Sequence, residues 1–214
     1  MAITKKKVKQ ILEVMDRVYG TDDVCYLNYE TPWQLLFATI LSAQCTDNRV
    51  NMVTKDLFAK YPDVSAFALA NEAEMEDDIR SLGFYHNKAR NLIACARRLL
   101  EEFGGEVPST IEELTSLPGV GRKTANVVRG HIFHDPAIVV DTHVGRVSRR
   151  LGLTASEDPT TVEFDLMKLI PKDHWILVNI QFIAHGRSTC QARSPKCHDC
   201  PVAHLCPGAD RAEQ

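Results

Sequence analysis

No stretch of the 214 residues approaches the run of about 20 apolar residues that a membrane-spanning helix needs. The basic start, Met1-Ala-Ile-Thr-Lys-Lys-Lys, has no apolar run behind it, so it does not read as a secretory signal. No segment sustains period-two alternation of apolar and polar residues, which removes the signature of a half-buried strand and leaves an all-α chain. Internal repeats and low-complexity tracts are also missing, against a solenoid or a biased tail. Nor is there an excess of positive charge. The formal net charge is −3, which argues against a protein basic all over but permits a local basic face.

What is present is ordinary in amount and unusual in placement. A content of 44% hydrophobic and 25% charged residues fits a globular chain long enough for one large or two small domains. The charge is segregated. Between residues 117 and 150 lie Arg122, Lys123, Arg129, Arg146, Arg149 and Arg150 against only Asp135 and Asp141. Arg187, Arg193 and Lys196 follow in 186–197 with no acid among them, while Glu72, Glu74, Glu76, Asp77 and Asp78 cluster elsewhere. Such asymmetry suits a polyanion on one side, although charge runs are often solvated helix faces.

Read in order, helical signals follow one another. Val8, Ile11, Leu12, Met15 and Val18 form a stripe over 5–19 that Gly20 ends. Thr31-Pro32 is an N-cap with proline at the first helical position, and Trp33–Leu41 is apolar nearly throughout, as in a helix buried on most sides. Gln44 is polar directly after it, before a fresh start at Thr46 or Asp47. An acidic helix stops at Gly83, Phe84-Tyr85-His86 reads as an aromatic loop, and 87–103 is amphipathic. Ser109-Thr-Ile-Glu112 has the capping-box pattern that opens a short helix ending near Leu117. Ile138-Val-Val140 is a short extended run ending at Asp141, placed to cap the helix over 142–150. Further helices are expected from Pro159 to Ile170 and from Trp175 to Gly186.

The stretch Leu117-Pro-Gly-Val-Gly-Arg-Lys-Thr-Ala125 is a tight hairpin between two helices. Gly119 and Gly121 can take φ > 0 and admit a phosphate close to the backbone. The helix that follows aims unpaired N–H groups and its positive dipole end at that phosphate. Lys123 lies in its first turn. A lysine able to shed its proton there is a nucleophile candidate; a lysine beside a turn can also be a plain surface or phosphate contact.

Of seven cysteines, Cys25, Cys45 and Cys95 are scattered and read as small core residues. Cys190, Cys197, Cys200 and Cys206 are spaced C-x6-C-x2-C-x5-C, which points to a metal site rather than two disulfides. Zinc and a [4Fe–4S] cluster both accept four sulfurs. The gap between the first two holds Arg193 and Lys196 on a loop that metal would tether at both ends, a way to present cations to phosphates.

The hairpin LPGVGRKTA, VDTH at 140–143, the four-cysteine tail, LSAQCTD at 41–47 and HGRSTC at 185–190 together resemble the endonuclease III branch of the helix-hairpin-helix DNA glycosylases, over about residues 8–207. The resemblance implies two helical domains flanking a DNA-binding cleft: 23–134 with the hairpin, and 1–22 plus 135–214 with a [4Fe–4S] cluster on the four cysteines. It implies a base-excision repair enzyme that removes oxidised pyrimidines and nicks abasic sites by β-elimination. Lys123 would attack C1′ of a flipped nucleotide and Asp141 would assist. Gln44 would fill the gap in the duplex, Phe84 would act as a wedge, and His143 would contact DNA. Two other readings stand beside it. One is a monofunctional mismatch glycosylase of the same family, against which Lys123 and the end at Gln214 argue. The other is a non-catalytic hairpin module that needs neither Lys123 nor Asp141. Gly145 and Gln181 depart from residues common in relatives. A monomer in a prokaryotic cytoplasm, associated with the nucleoid and not with membrane, completes the expectation.

Overall fold

The computed structural model describes residues 3–22 and 24–209; Met1, Ala2, Asp23 and residues 210–214 of the expected domain bounds lie outside them. The described residues are helical without a strand, and none of their helices is long and apolar enough to cross a membrane. The chain separates into two compact units, Cys25–Asp135 and Met1–Val24 with Pro136–Gln214.

After α1 (Lys5–Tyr19), which belongs to the other unit, the first unit begins with α2 (Pro32–Leu41). Proline at its first position and the Gln34 side-chain Oε1, which accepts from the N–H of Glu30 and Thr31 at 2.6 and 3.0 Å, set its start. Every side chain from Leu35 to Leu41 is buried, as its apolar run requires. Around it stand α3 (Asp47–Lys60), α4 (Val64–Leu69), α5 (Glu72–Ile79) and α6 (Tyr85–Phe103). α6 buries Ala89, Leu92, Ile93, Ala96 and Leu99, a stripe at helical spacing that faces α4 and α5. Trp33, Phe37, Phe58 and Phe67 meet edge to face, with Phe37 and Phe67 centroids 4.8 Å apart. Cys95 is fully buried in this core, and burial pushes its thiol up to about 12. It is the inert core cysteine its isolation in the sequence suggests.

Two local expectations shift. Tyr85 and His86 are not loop residues but the first turn of α6, leaving Phe84 alone as its cap. The capping box before α7 (Ile111–Ser116) lies one residue later than read: Thr110 accepts from the Glu113 N–H at 3.2 Å and donates to its carboxylate at 2.7 Å. Ser-x-x-Glu and Thr-x-x-Glu overlap in this sequence, and the phase of the buried residues selects the second. It places Leu114 and Leu117 in the core. α8 (Arg122–Phe133) closes the unit.

In the second unit, α1 packs Val8, Ile11, Leu12 and Met15 into a core shared with α9 (Thr142–Leu151), α10 (Pro159–Leu169) and α11 (Trp175–Ser188). Gln181 of α11 does not line a functional surface. It is 1% exposed and donates both amide hydrogens to the end of α1, to Asp16 Oδ1 and the Gly20 carbonyl, each at 2.8 Å. The other Asp16 oxygen meets His174 Nε2 at 3.3 Å, and Asp173 meets its Nδ1 at 2.9 Å. Asp173 first, and then Asp16, hold the His174 imidazolium above its ordinary range, against partial burial. A raised folded value means that the stabilisation is complete below the unfolded value of 6.5 and is lost as pH rises through the folded value. His174→Gln is therefore expected to lower the melting temperature near pH 6 and to leave it nearly unchanged near pH 9. An equal deficit at both pH values would show that the protonated histidine is not the link.

Candidate functional site

The hairpin is built from inside outward. Leu117 and Val120 are buried and anchor the turn to the core, and the Val120 N–H closes it on the Leu117 carbonyl at 3.1 Å. Gly119 takes φ +78°, and a Cβ there would stand 2.9 Å from Asn91 Cβ of α6. Conformation and space both require glycine. Gly121 differs from expectation: its φ is −90°, an ordinary extended N-cap. A Cβ on it would meet nothing, so glycine here keeps the outer surface bare. The first N–H groups of α8 consequently face outward with no intrahelical acceptor. Lys123, the second residue of that helix, is exposed, and no hydrogen bond or ion pair holds it among the described residues. Gly119→Ala should cost about 2–4 kcal/mol, from left-handed strain and overpacking on Asn91. Urea denaturation checks it; a loss under about 1 kcal/mol would show that the hairpin can yield.

Two other sequence candidates in this unit share an uncommon backbone. Gln44 (φ 54°) follows α2 and Phe84 (φ 49°) precedes α6; with His134 they are the described non-glycine residues with positive φ. Both are exposed, Phe84 at 63%, so Phe84 is not a core aromatic. A left-handed conformation costs a residue with a Cβ about 1–2 kcal/mol, and such strain collects at functional sites.

In the second unit, Asp141 caps α9 as expected: Oδ1 accepts from the Val144 N–H at 2.7 Å. The extended segment before it is held by a residue the sequence reading passed over. Asn179 of α11, itself buried, accepts from the Val139 N–H at 2.8 Å and donates to the Ala137 carbonyl at 3.1 Å, pairing with the backbone as a neighbouring strand would. His143 follows on the first turn of α9. Arg146 donates to His143 Nδ1 at 3.0 Å, to the Gly186 carbonyl at 2.9 Å and to the Cys190 carbonyl at 3.0 Å. A guanidinium only donates, so His143 Nδ1 accepts in this pair. Gly186 makes this possible: a Cβ there would stand 2.8 Å from His143 Nδ1.

Cys190, Cys197, Cys200 and Cys206 line one cavity of about 580 Å³ with Arg150 and Arg193 on its wall. Four cysteines around one cavity supply the thiolate set that a [4Fe–4S] cluster takes. Burial first, and less strongly the neighbouring thiols, raise Cys200 and Cys206. His185 stands over Cys200 at 3.8 Å and takes a hydrogen bond between its Nδ1 and the Tyr19 hydroxyl at 2.8 Å; burial drops it to about 4, leaving it neutral. Arg193 and Lys196 are exposed on the loop, as expected. The sequence did not show that Arg150 tethers the same loop, donating to the Gln191 and Ala192 carbonyls at 2.7 and 3.0 Å and to Cys190 Sγ at 3.3 Å.

Comparison with known proteins agrees with this geometry. Residues 37–172 match the family model of the HhH-GPD superfamily base excision DNA repair proteins, and residues 190–206 match the iron-sulfur binding domain of endonuclease III. Endonuclease III of Synechocystis sp. is 53% identical over 98% of this chain and 95% of its own. That of Bacillus subtilis is 47% identical over 85% of this chain and 84% of its own. The solved structure of a trapped endonuclease III–DNA covalent intermediate is 45% identical and matches with a TM-score of 0.93, covering 99% of this chain and 100% of that one. Fold and hairpin thus define the class, the helix-hairpin-helix enzymes of base excision repair. Within that class the chain belongs to the endonuclease III family. It is a DNA-binding, bifunctional glycosylase and AP lyase that carries a [4Fe–4S] cluster.

Proposed function

We propose that the enzyme excises oxidised pyrimidines from duplex DNA and nicks the resulting abasic site, with Lys123 as nucleophile. The supporting observation is an exposed lysine on the first turn of α8, without a hydrogen bond or ion pair among the described residues, beside the Gly119–Gly121 turn. The amides of that turn take a phosphate of the lesion strand. The Lys123 amine, once deprotonated, attacks C1′; the C1′–N bond breaks and the base leaves with a proton. The C1′–O4′ bond of the sugar ring then breaks, O4′ taking a proton, and the imine so formed acidifies C2′–H. Loss of that proton expels the 3′ phosphate by β-elimination, and water returns the lysine. Asp141 assists the first step, accepting a proton or balancing positive charge on the sugar while Oδ1 remains engaged with Val144 N–H. Gln44 and Phe84 enter the duplex to keep the nucleotide out, and His143, Arg193 and Lys196 contact phosphates.

The four cysteines hold the cluster, which supplies a rigid anchor for the basic loop. The hairpin domain spans residues 23–134 and the cluster domain the remainder. The bacterial relatives support a prokaryotic cytoplasm, with the enzyme acting as a monomer on the nucleoid.

The test is a borohydride trap: incubate with a duplex bearing thymine glycol or an abasic site, reduce, and map the adduct by mass spectrometry. An adduct on Lys123 is expected. Free base with no adduct would mean activated water and a monofunctional enzyme; neither product, from folded cluster-bearing protein, would leave DNA binding alone.

A further inference from the structure

Lys88 is a buried cation that the reaction does not use. It lies in the first turns of α6, 5% exposed, directly beneath the Gly83–Phe84 turn. Both its ends bind that turn. Its backbone N–H donates to the Phe84 carbonyl at 3.1 Å, and its ammonium donates to the Leu82 carbonyl at 2.8 Å. These two carbonyls bracket Gly83 (φ 64°) and Phe84 (φ 49°), two successive left-handed residues. Such a pair has an extended or right-handed alternative into which it would relax unless something held it. Burial opposes the Lys88 charge and lowers its proton affinity, so a lysine is kept here at a cost that an apolar residue would avoid.

We propose that Lys88 is a positioning residue for DNA unstacking: by fixing the Leu82 carbonyl it holds the strained turn that projects Phe84 from the surface, before DNA arrives. The inference rests on the reading of Phe84 as the residue that enters the duplex. Pre-forming the turn spares the enzyme from ordering it at the moment a base step must be opened. The contribution is specific to stacked DNA, since an abasic site already unstacked needs no wedge.

Lys88→Met, Lys88→Arg and Phe84→Ala are compared with the parent enzyme on two substrates, an abasic site in a fully paired duplex and the same site inside an unpaired bubble. Single-turnover nicking is followed together with the fluorescence of a 2-aminopurine placed next to the site. Unstacking one base step costs a few kcal/mol and each 1.4 kcal/mol is tenfold, so Lys88→Met and Phe84→Ala should each slow nicking of the paired duplex by about tenfold or more and weaken the fluorescence rise. Lys88→Met should act on the bubble within about twofold of the parent, and Lys88→Arg should recover part of the duplex rate. If Phe84→Ala is impaired on the duplex and Lys88→Met is not, the Lys88 role is overturned while the wedge stands. If Phe84→Ala is unimpaired, the wedge reading fails first. Equal losses by Lys88→Met on both substrates, including loss through misfolding, would mean general support of the fold and would overturn the proposal.

Discussion

Lys123→Gln is expected to abolish the borohydride adduct and to slow strand nicking by about 10³-fold or more, while the protein becomes no less stable. The two effects have separate origins. Lys123 is exposed, and among the described residues no hydrogen bond or ion pair holds it that folding would miss. It also sits where charge is locally unfavourable. α8 opens with Arg122 and Lys123 and has no acid in its first turn, the reverse of what a helix N-terminus prefers. Removing one cation there should leave stability unchanged or raise it by about 0.3–1 kcal/mol. A local rule broken in this way is typical of a functional site. Thermal melting and single-turnover nicking on one preparation check both halves. A Lys123→Gln enzyme that still forms an adduct would move the nucleophile elsewhere.

Asp141→Asn divides capping from catalysis. The cap needs only an oxygen at the Oδ1 position to accept the Val144 N–H, and asparagine supplies it with equal preference. Stability should therefore change by a few tenths of a kcal/mol, whereas Asp141→Ala loses about 1 kcal/mol with the cap. The amide cannot accept a proton or balance a sugar cation. Base excision should fall by about 10²–10⁴-fold in both variants. The adduct on a ready-made abasic site should suffer less, because an aldehyde needs no base displaced. Unaltered excision by Asp141→Asn would reduce Asp141 to a helix cap.

The cap of α9, the buried α2, the amphipathic α6, the hairpin and the four-cysteine tail were all legible, because each is written in residues close together along the chain. The misreadings were also local and instructive. Ser109 and Thr110 offered two overlapping caps, and only the burial of Leu114 and Leu117 chose between them. Gly121 reads as a residue free to take positive φ, because composition cannot separate a glycine needed for its backbone from one needed for its missing side chain.

By itself the sequence determined an all-α chain, the glycine turn with Lys123 after it, and a four-cysteine metal site, since helical periodicity, turn chemistry and ligand spacing act over a few residues. Only the tertiary structure decided how those groups are held. Asn179 pairs with the segment before Asp141 from 40 residues away, Arg150 grips the cluster loop from 41, and Lys88 turns back on Leu82 to hold Phe84 outward. Hydrogen-bond partners of buried polar groups are chosen by which elements pack together, and packing buries apolar surface without regard to distance along the chain.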